Sequence, residues 1–286
     1  MDKIDVTDYN TPIPPTWCPG CGDYVIKATL VKALKSLSIP PWKAAITYDI
    51  GCNGNGADKI NSYAFKSLHG RSIPPAVGIK YANKDLTVIS MIGDGGAFWE
   101  GPAHLVAAAQ RNEDIVVLVA DNQIYGLTTG QTSPTTETGY ETISYPSGTI
   151  DKPLNPIQFA LGCGASFVAR GFVGEPVHLT SLIKKAIKHK GFAFIDILQN
   201  CATYNKLNTV TYYKDRVYRL EDDKRFKPNN KQKAFERSEL GDKVAIGLFY
   251  NVKEPTNEDK YPVLQKEPLY MSRTKADISD LLNELK

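Results

Sequence analysis

The hydrophobic positions fall into short, mostly apolar runs separated by stretches with helical spacing. Runs at 44–50, 88–92, 115–120 and 192–198, with a shorter one at 165–169, have the length and composition of buried strands. Between them, residues 102–111 read as a helix with Pro102 in its first turn. After Asp23, a capping residue, Val25, Ile26, Leu30, Ala33, Leu34 and Leu37 form one apolar helical face. Helices are also expected at 60–68, 76–83 and 155–161, and a basic amphipathic one at 176–190. Strand, helix and strand in succession within one sheet require parallel strands joined by a right-handed crossover. The pattern predicts an α/β fold: a mostly parallel sheet with helices on both faces. Residues 1–202 form this domain, opening with an extended arm at 1–16. Residues 203–286 read as an irregular C-terminal extension that packs on the core or on a partner, with charged helical stretches in 226–242, a strand at 244–250 and a helix at 272–286.

The polar chemistry gathers where the strands run out. The 88–92 run stops in Gly93-Asp94-Gly95-Gly96 and the 115–120 run in Asp121-Asn122. Parallel strands deliver such ends to one edge, where open α/β sheets bind ligands. Glycines let a ligand approach the backbone. Asp94 offers an anionic oxygen and Asn122 an amide oxygen, both suited to Mg²⁺, which keeps water and substrate phosphates as its other ligands. The residues alone suggest a Mg–diphosphate site, although Gly-Asp-Gly by itself is a common turn. The run at 44–50 ends in Gly51-Cys52-Asn53, the run at 192–198 leads to Asn200-Cys201, and Cys18 and Cys21 form a Cys-x-x-Cys pair before the first helix. That pair can serve in a redox dithiol, a zinc site or an iron–sulfur site. The coil preceding it argues against a thioredoxin-like motif. Cys52 alone reads as a small residue in a tight turn, and Cys163 as a buried core cysteine. His69-Gly70-Arg71 can bind a phosphate or form a loop ion pair. The long polar loop from Gln123 to about Leu154, at a strand's carboxyl end, has the placement of a functional loop.

Composition narrows the class. Hydrophobic content of 42% and charged content of 23% are those of an ordinary globular protein, and a net charge of +3 without basic clusters gives nucleic acid no footprint. The longest apolar run is far shorter than a membrane span, and the polar N-terminus has no signal-peptide core, so a cytoplasmic location is expected. Five cysteines, an odd number, argue against a disulfide framework there.

Taken in order, WCPGCG, IGC, HGR followed by IP, GDG, DNxxYGLTxGQxSPTT and LQNCATYNK closely resemble the β subunit of 2-oxoacid:ferredoxin oxidoreductases of the pyruvate/2-oxoglutarate type. The resemblance covers nearly the whole chain. It implies the thiamine diphosphate-binding fold, in the form of the domain that holds the diphosphate. It further implies that Cys18, Cys21, Cys52 and Cys201 ligate a [4Fe–4S] cluster, and that Asp94, the Asn122 side chain and the Ile124 carbonyl bind Mg²⁺. Ile50, Gly51, Cys52, Asn53, His69, Gly70, Gly95, Gly96, Gly126 and Leu127 match segments that contact thiamine diphosphate. The glutamate that activates the cofactor is implied to lie on an α subunit, without which this chain is inactive, so no catalytic residue is assigned within it. Implied partners are the α subunit, ferredoxin, a 2-oxoacid and coenzyme A.

The chemistry of such a combination is coherent. Decarboxylating a 2-oxoacid on the thiazolium carbon leaves two electrons to remove, and this chain has no convincing flavin, nicotinamide or lipoyl signature to take them. An iron–sulfur centre provides the outlet; zinc on four thiolates would not, although spacing leaves both open. Two further readings stand beside the leading one: an Fe–S or zinc module without thiamine diphosphate, and a non-redox thiamine diphosphate decarboxylase subunit. Four departures from the family pattern are visible. Asn55 and Thr129 stand where lysine is common, Gly96 follows GDG where aspartate is common, and Glu100-Gly101-Pro102-Ala103-His104 replaces a Gly-Asn-His segment. The loss of two cations near the expected carboxylate and coenzyme A side implies a relative with altered substrate or acceptor preference.

Overall fold

The computed structural model describes residues 9–271 and 278–284. Among these residues, eight strands form one sheet in the order β2-β1-β3-β4-β6-β5-β8-β7. In chain order they are β1 (Ala44–Tyr48), β2 (Tyr63–Lys66), β3 (Thr87–Gly93), β4 (Val116–Asp121), β5 (Phe167–Phe172), β6 (Ala193–Leu198), β7 (Val217–Arg219) and β8 (Val244–Asn251). The first six pair in parallel. β8 runs antiparallel to β5, with an irregularity at Val168 and Ala169, and β7 is parallel to β8.

Alternation along the strands divides the core into two layers. Ile46, Ile89, Leu118 and Ile195 face the layer covered by α1 (Asp23–Ser36) and α5 (Pro176–Lys188), which contributes Ile26, Leu30, Leu34, Leu179 and Leu182. Val88, Val117, Val119 and Phe194 face α2 (Ile73–Ala82), α3 (Pro102–Arg111) and α4 (Pro156–Gly162), through Ile73, Ala76, Leu105, Ala108 and Ile157. Proline opens α3, α4 and α5, where its missing N–H costs nothing. The Asn155 side chain caps α4 by accepting from the N–H groups of Ile157 and Gln158.

The helix expected at 60–68 is instead β2, an edge strand exposed along its whole length. Tyr63 and Phe65 favour extended chain, and with only Ile60 buried beside it the stretch has no core-facing side from which to read a period. The expected helix at 76–83 starts earlier, at Ile73, and the expected strand at 165–169 runs instead as Phe167–Phe172. The later chain supplies β7, β8 and short helices α6 (Val210–Lys214), α7 (Lys231–Arg237), α8 (Pro262–Lys266) and α9 (Ser279–Glu284). Of the helix expected at 272–286, residues 272–277 and 285–286 lie outside the described residues, as do residues 1–8 of the arm. Cys163, expected in the core, is half-buried at the end of α4 and packs against the second layer. Among the described residues, no helix is long and apolar enough to cross a membrane.

Asn112 ties these pieces together. It ends α3 in the left-handed region at φ 57°, and its Oδ1 accepts from Phe192 N (2.8 Å) and Ser166 Oγ (2.6 Å). Its Nδ2 donates to the carbonyls of Glu254 and Pro255. Asn112→Ala, losing these bonds and placing a Cβ residue without local compensation in the left-handed region, is expected to cost about 3 kcal/mol. Asn112→Gly should recover only about 1 kcal/mol of that, and the midpoints of thermal unfolding of the purified variants check the order.

Candidate functional site

The carboxyl ends of β1, β3 and β4 meet at one edge and frame a cleft. Its wall includes Ile50, Gly51, Cys52 and Asn53 after β1, Asp94, Gly95 and Gly96 after β3, and Asn122, Ile124, Gly126 and Leu127 after β4. His69 enters from the loop after β2. Gly70 stands behind the wall: its N–H donates to Asp49 Oδ1 at 2.6 Å. A Cβ on Gly51 or Gly93 would meet nothing within 4 Å, so both leave open space at the cleft. Asn53 is 6% exposed and its Oδ1 is buried with no partner among the described residues. Room without side chains, beside an unsatisfied polar atom, is the form of a ligand site.

Asp94, 3% exposed, is fixed by the hydroxyls of Ser133 (2.5 Å) and Thr135 (2.7 Å) on its Oδ2. Burial pushes its carboxyl up to about 6, and a divalent cation would reverse that shift. Thr135 Oγ1 also lies 2.8 Å from Asp121 Oδ1. One hydroxyl hydrogen cannot serve both carboxylates at once. Burial, then Asp196 and Asp94, push Asp121 well above the usual carboxylate range. Asn122 Oδ1 accepts from Ile124 N at 3.0 Å, an Asx turn that aligns this side chain with the following backbone. Gln123, between them, takes φ 58°, and the Thr136 hydroxyl holds its carbonyl.

Sequence reading missed Asp49, the residue on which the edge is assembled. It is fully buried, receives Gly70 N, and lies 3.1 Å from His69 Nδ1 through its Oδ2. The hydrogen bond to Asp49 raises the pKa of His69. A Cβ on Gly96 would come within 1.9 Å of Asp49 Oδ2. The only sequence signal for Asp49 was a charge inside an otherwise apolar strand end.

The loops bearing Cys18, Cys21, Cys52 and Cys201 converge beside the cleft. Asn200 Nδ2 donates to Gly20 O (2.9 Å), Trp17 Nε1 to Cys52 O (2.7 Å) and Asn53 Nδ2 to Asp23 Oδ1 (3.2 Å). A Cβ on Gly126 would lie 3.4 Å from both Cys52 Sγ and Cys201 Sγ. Burial, and then the neighbouring Asp23, raise the Cys21 thiol and push Cys52 up to about 12; Cys201 and Cys18 add to the shift at Cys52. Among the described residues, no three His, Cys, Asp or Glu side chains are placed to hold one metal ion.

Lys66, at the end of β2, donates through Nζ to Asn55 Oδ1 at 3.2 Å. Thr129, where the second lysine was missing, has φ 79° and is exposed.

The model for the C-terminal TPP-binding domain of thiamine pyrophosphate enzymes matches residues 49–197, and the model for the C-terminal part of the pyruvate ferredoxin oxidoreductase beta subunit matches residues 201–266. The chain is 39% identical to the 2-oxoacid:ferredoxin oxidoreductase subunit beta of Saccharolobus solfataricus, across 94% of this chain and 95% of that one. This chain belongs to the β subunits of the 2-oxoacid:ferredoxin oxidoreductases. It is similar, at 33% identity over 85% of its length and 90% of the other, to the 2-oxoglutarate synthase subunit KorB of Methanocaldococcus jannaschii. Its fold matches that of a 2-oxoglutarate:ferredoxin oxidoreductase from Magnetococcus marinus, solved with 2-oxoglutarate, coenzyme A and succinyl-CoA bound. The TM-score is 0.91 at 33% identity, over 100% of this chain and 97% of that one. The resemblance seen in the strand-end motifs therefore holds for the family and for the α/β fold, and the matched domain is a thiamine diphosphate-binding one.

In this β subunit the glycines of the cleft differ in what they tolerate. Gly96→Ala must displace the buried Asp49 carboxylate, whereas a Cβ at Gly126 makes only ordinary contact with the thiols. With the α subunit present, Gly96→Ala is expected to weaken thiamine diphosphate binding by more than about tenfold, a cost of at least ~1.4 kcal/mol, and Gly126→Ala by less. Titration calorimetry on the apo complexes checks both.

Proposed function

We propose that this chain, joined to an α subunit, oxidatively decarboxylates a 2-oxoacid on thiamine diphosphate, sends the electrons through a [4Fe–4S] cluster to ferredoxin and passes the acyl group to coenzyme A. The observation that carries this reading is the position of Gly126, which lines the cleft together with Cys52 and stands against the Cys52 and Cys201 thiols.

The donor sets suit the two groups. Asp94, the Asn122 side chain and the Ile124 carbonyl would hold Mg²⁺, all oxygen donors as that ion requires. The Gly95–Gly96 turn, the Gly51 turn and His69 would hold the diphosphate, with the raised pKa of His69 favouring an anion beside it. Asn53 Oδ1 offers an acceptor to a cofactor N–H or O–H. Bound thiamine diphosphate supplies the carbon nucleophile and electron sink for decarboxylation. Cys18, Cys21, Cys52 and Cys201 would ligate the cluster. Cys52 and Cys201 stand together at the cleft, and Cys18 and Cys21 lie near enough to act electrostatically with Cys52. Ligation would deprotonate them against the upward shifts at Cys21 and Cys52. The domain that completes the cofactor site, with the activating glutamate, belongs to the α subunit.

Two variants separate the halves of this assignment. In the anaerobically purified complex, addition of a 2-oxoacid should reduce the cluster and give an EPR signal. Asp94→Ala should lose Mg²⁺-dependent thiamine diphosphate uptake and that signal, while dithionite still reduces its cluster. Cys52→Ser should lose iron and sulfide yet keep thiamine diphosphate. Iron without thiamine diphosphate in the wild type would make the chain an electron-transfer module. Thiamine diphosphate without a reducible cluster would make it a non-redox subunit. Turnover unaffected by coenzyme A would remove that acceptor.

A further inference from the structure

After β3's turn, beside the cleft mouth, the exposed carboxylate of Glu100 is tethered. Tyr125 Oη lies 2.7 and 2.9 Å from the two carboxylate oxygens of Glu100, and His69 Nε2 lies 3.6 Å from Oε2. The backbone fixes it as well: a Cβ on Gly70 would sit 2.6 Å from Glu100 Cβ, and one on Gly101 would sit 2.1 Å from Gly70 O. Both partners of the carboxylate, Tyr125 and His69, line the cleft. Trp99 stacks on Tyr125 with ring centroids 6.3 Å apart, and Leu127 is 46% exposed on the cleft wall.

The charges do not balance. His69 is the one basic side chain in this group, and it faces two carboxylates, Asp49 and Glu100. Among the described residues, no lysine or arginine lines the cleft; Lys66 turns instead to Asn55. A second substrate carboxylate brought to this mouth would lose water and meet a fixed like charge, with no lysine or arginine of this chain beside it. An apolar side chain would meet Tyr125, Trp99 and Leu127 instead.

We propose that the tethered carboxylate of Glu100 makes this enzyme select 2-oxoacids with an uncharged, apolar side chain over dicarboxylic ones. The assignment rests on the reading of the cleft as a thiamine diphosphate site whose mouth receives the 2-oxoacid. The test is kcat/KM of the αβ complex for 2-oxobutyrate and for 2-oxoglutarate, in the wild type and in Glu100→Gln, whose amide oxygen still accepts from Tyr125. The wild type should prefer 2-oxobutyrate by about tenfold or more, the scale of one uncompensated charge contact. Glu100→Gln should shrink that ratio by about tenfold, mostly through the KM for 2-oxoglutarate. Raising salt should narrow the ratio in the wild type and leave that of the variant unmoved.

Equal use of the two acids by the wild type, or preference for 2-oxoglutarate, overturns the selectivity alone. So does a ratio that Glu100→Gln leaves unchanged. If the variant fails to assemble, the wild-type salt series decides: a ratio independent of salt overturns the proposal. A complex that turns over no 2-oxoacid defeats the functional reading first, and the selectivity with it.

Discussion

Parallel strands joined by right-handed crossovers must all finish at the same edge of their sheet, because hydrogen bonding in one register gives them one direction. Pairing of β1 with β3, β3 with β4 and β4 with β6 therefore fixes where four chain segments emerge, however far apart they lie in sequence. Asp49, Asp94, Asn122 and Cys201 follow those ends. Their proximity comes from backbone pairing and two apolar layers, and the loops need only adjust the last few ångströms.

That adjustment depends on buried polar groups. Asp49 joins the loop after β2 to the turn after β3, and Thr135 bridges Asp94 to Asp121. Such groups are costly to bury and stay only where each finds a partner. Arg170 and Asp196, paired at 2.8 Å, carry the same polar seam inward between β5 and β6. The edge is thus pinned below the cleft and open above it, where the bare Gly51 and Gly93 leave space for a ligand.

Much of this was legible in the sequence. The strand runs, α3 and the polar strand ends were readable because burial leaves an apolar period and binding leaves glycine, aspartate and asparagine where that period stops. The parts that stayed hidden depend on tertiary neighbours. β2 is exposed and shows no buried face, so Tyr63 and Phe65 could not be told from a helix by pattern. Asp49 has no motif, only a place in space between Gly70 and Gly96. Lys66 takes up a position beside Asn55 that no spacing along the chain announces. Glu100 could be seen as a departure from a pattern, but its tether to Tyr125 could not.

Gly126 remains the thinnest part of the molecule's design: it lines the cleft beside Cys52, and a Cβ there would stand 3.4 Å from both the Cys52 and Cys201 sulfurs. A residue so placed has no spare thickness to divide between ligand and thiols. Any methyl group added to shield the sulfurs is taken from the space beside them, and any room gained in the cleft strips their cover. The shape of what the cleft admits and the chemical exposure of the thiols are therefore one variable, and neither can drift without the other.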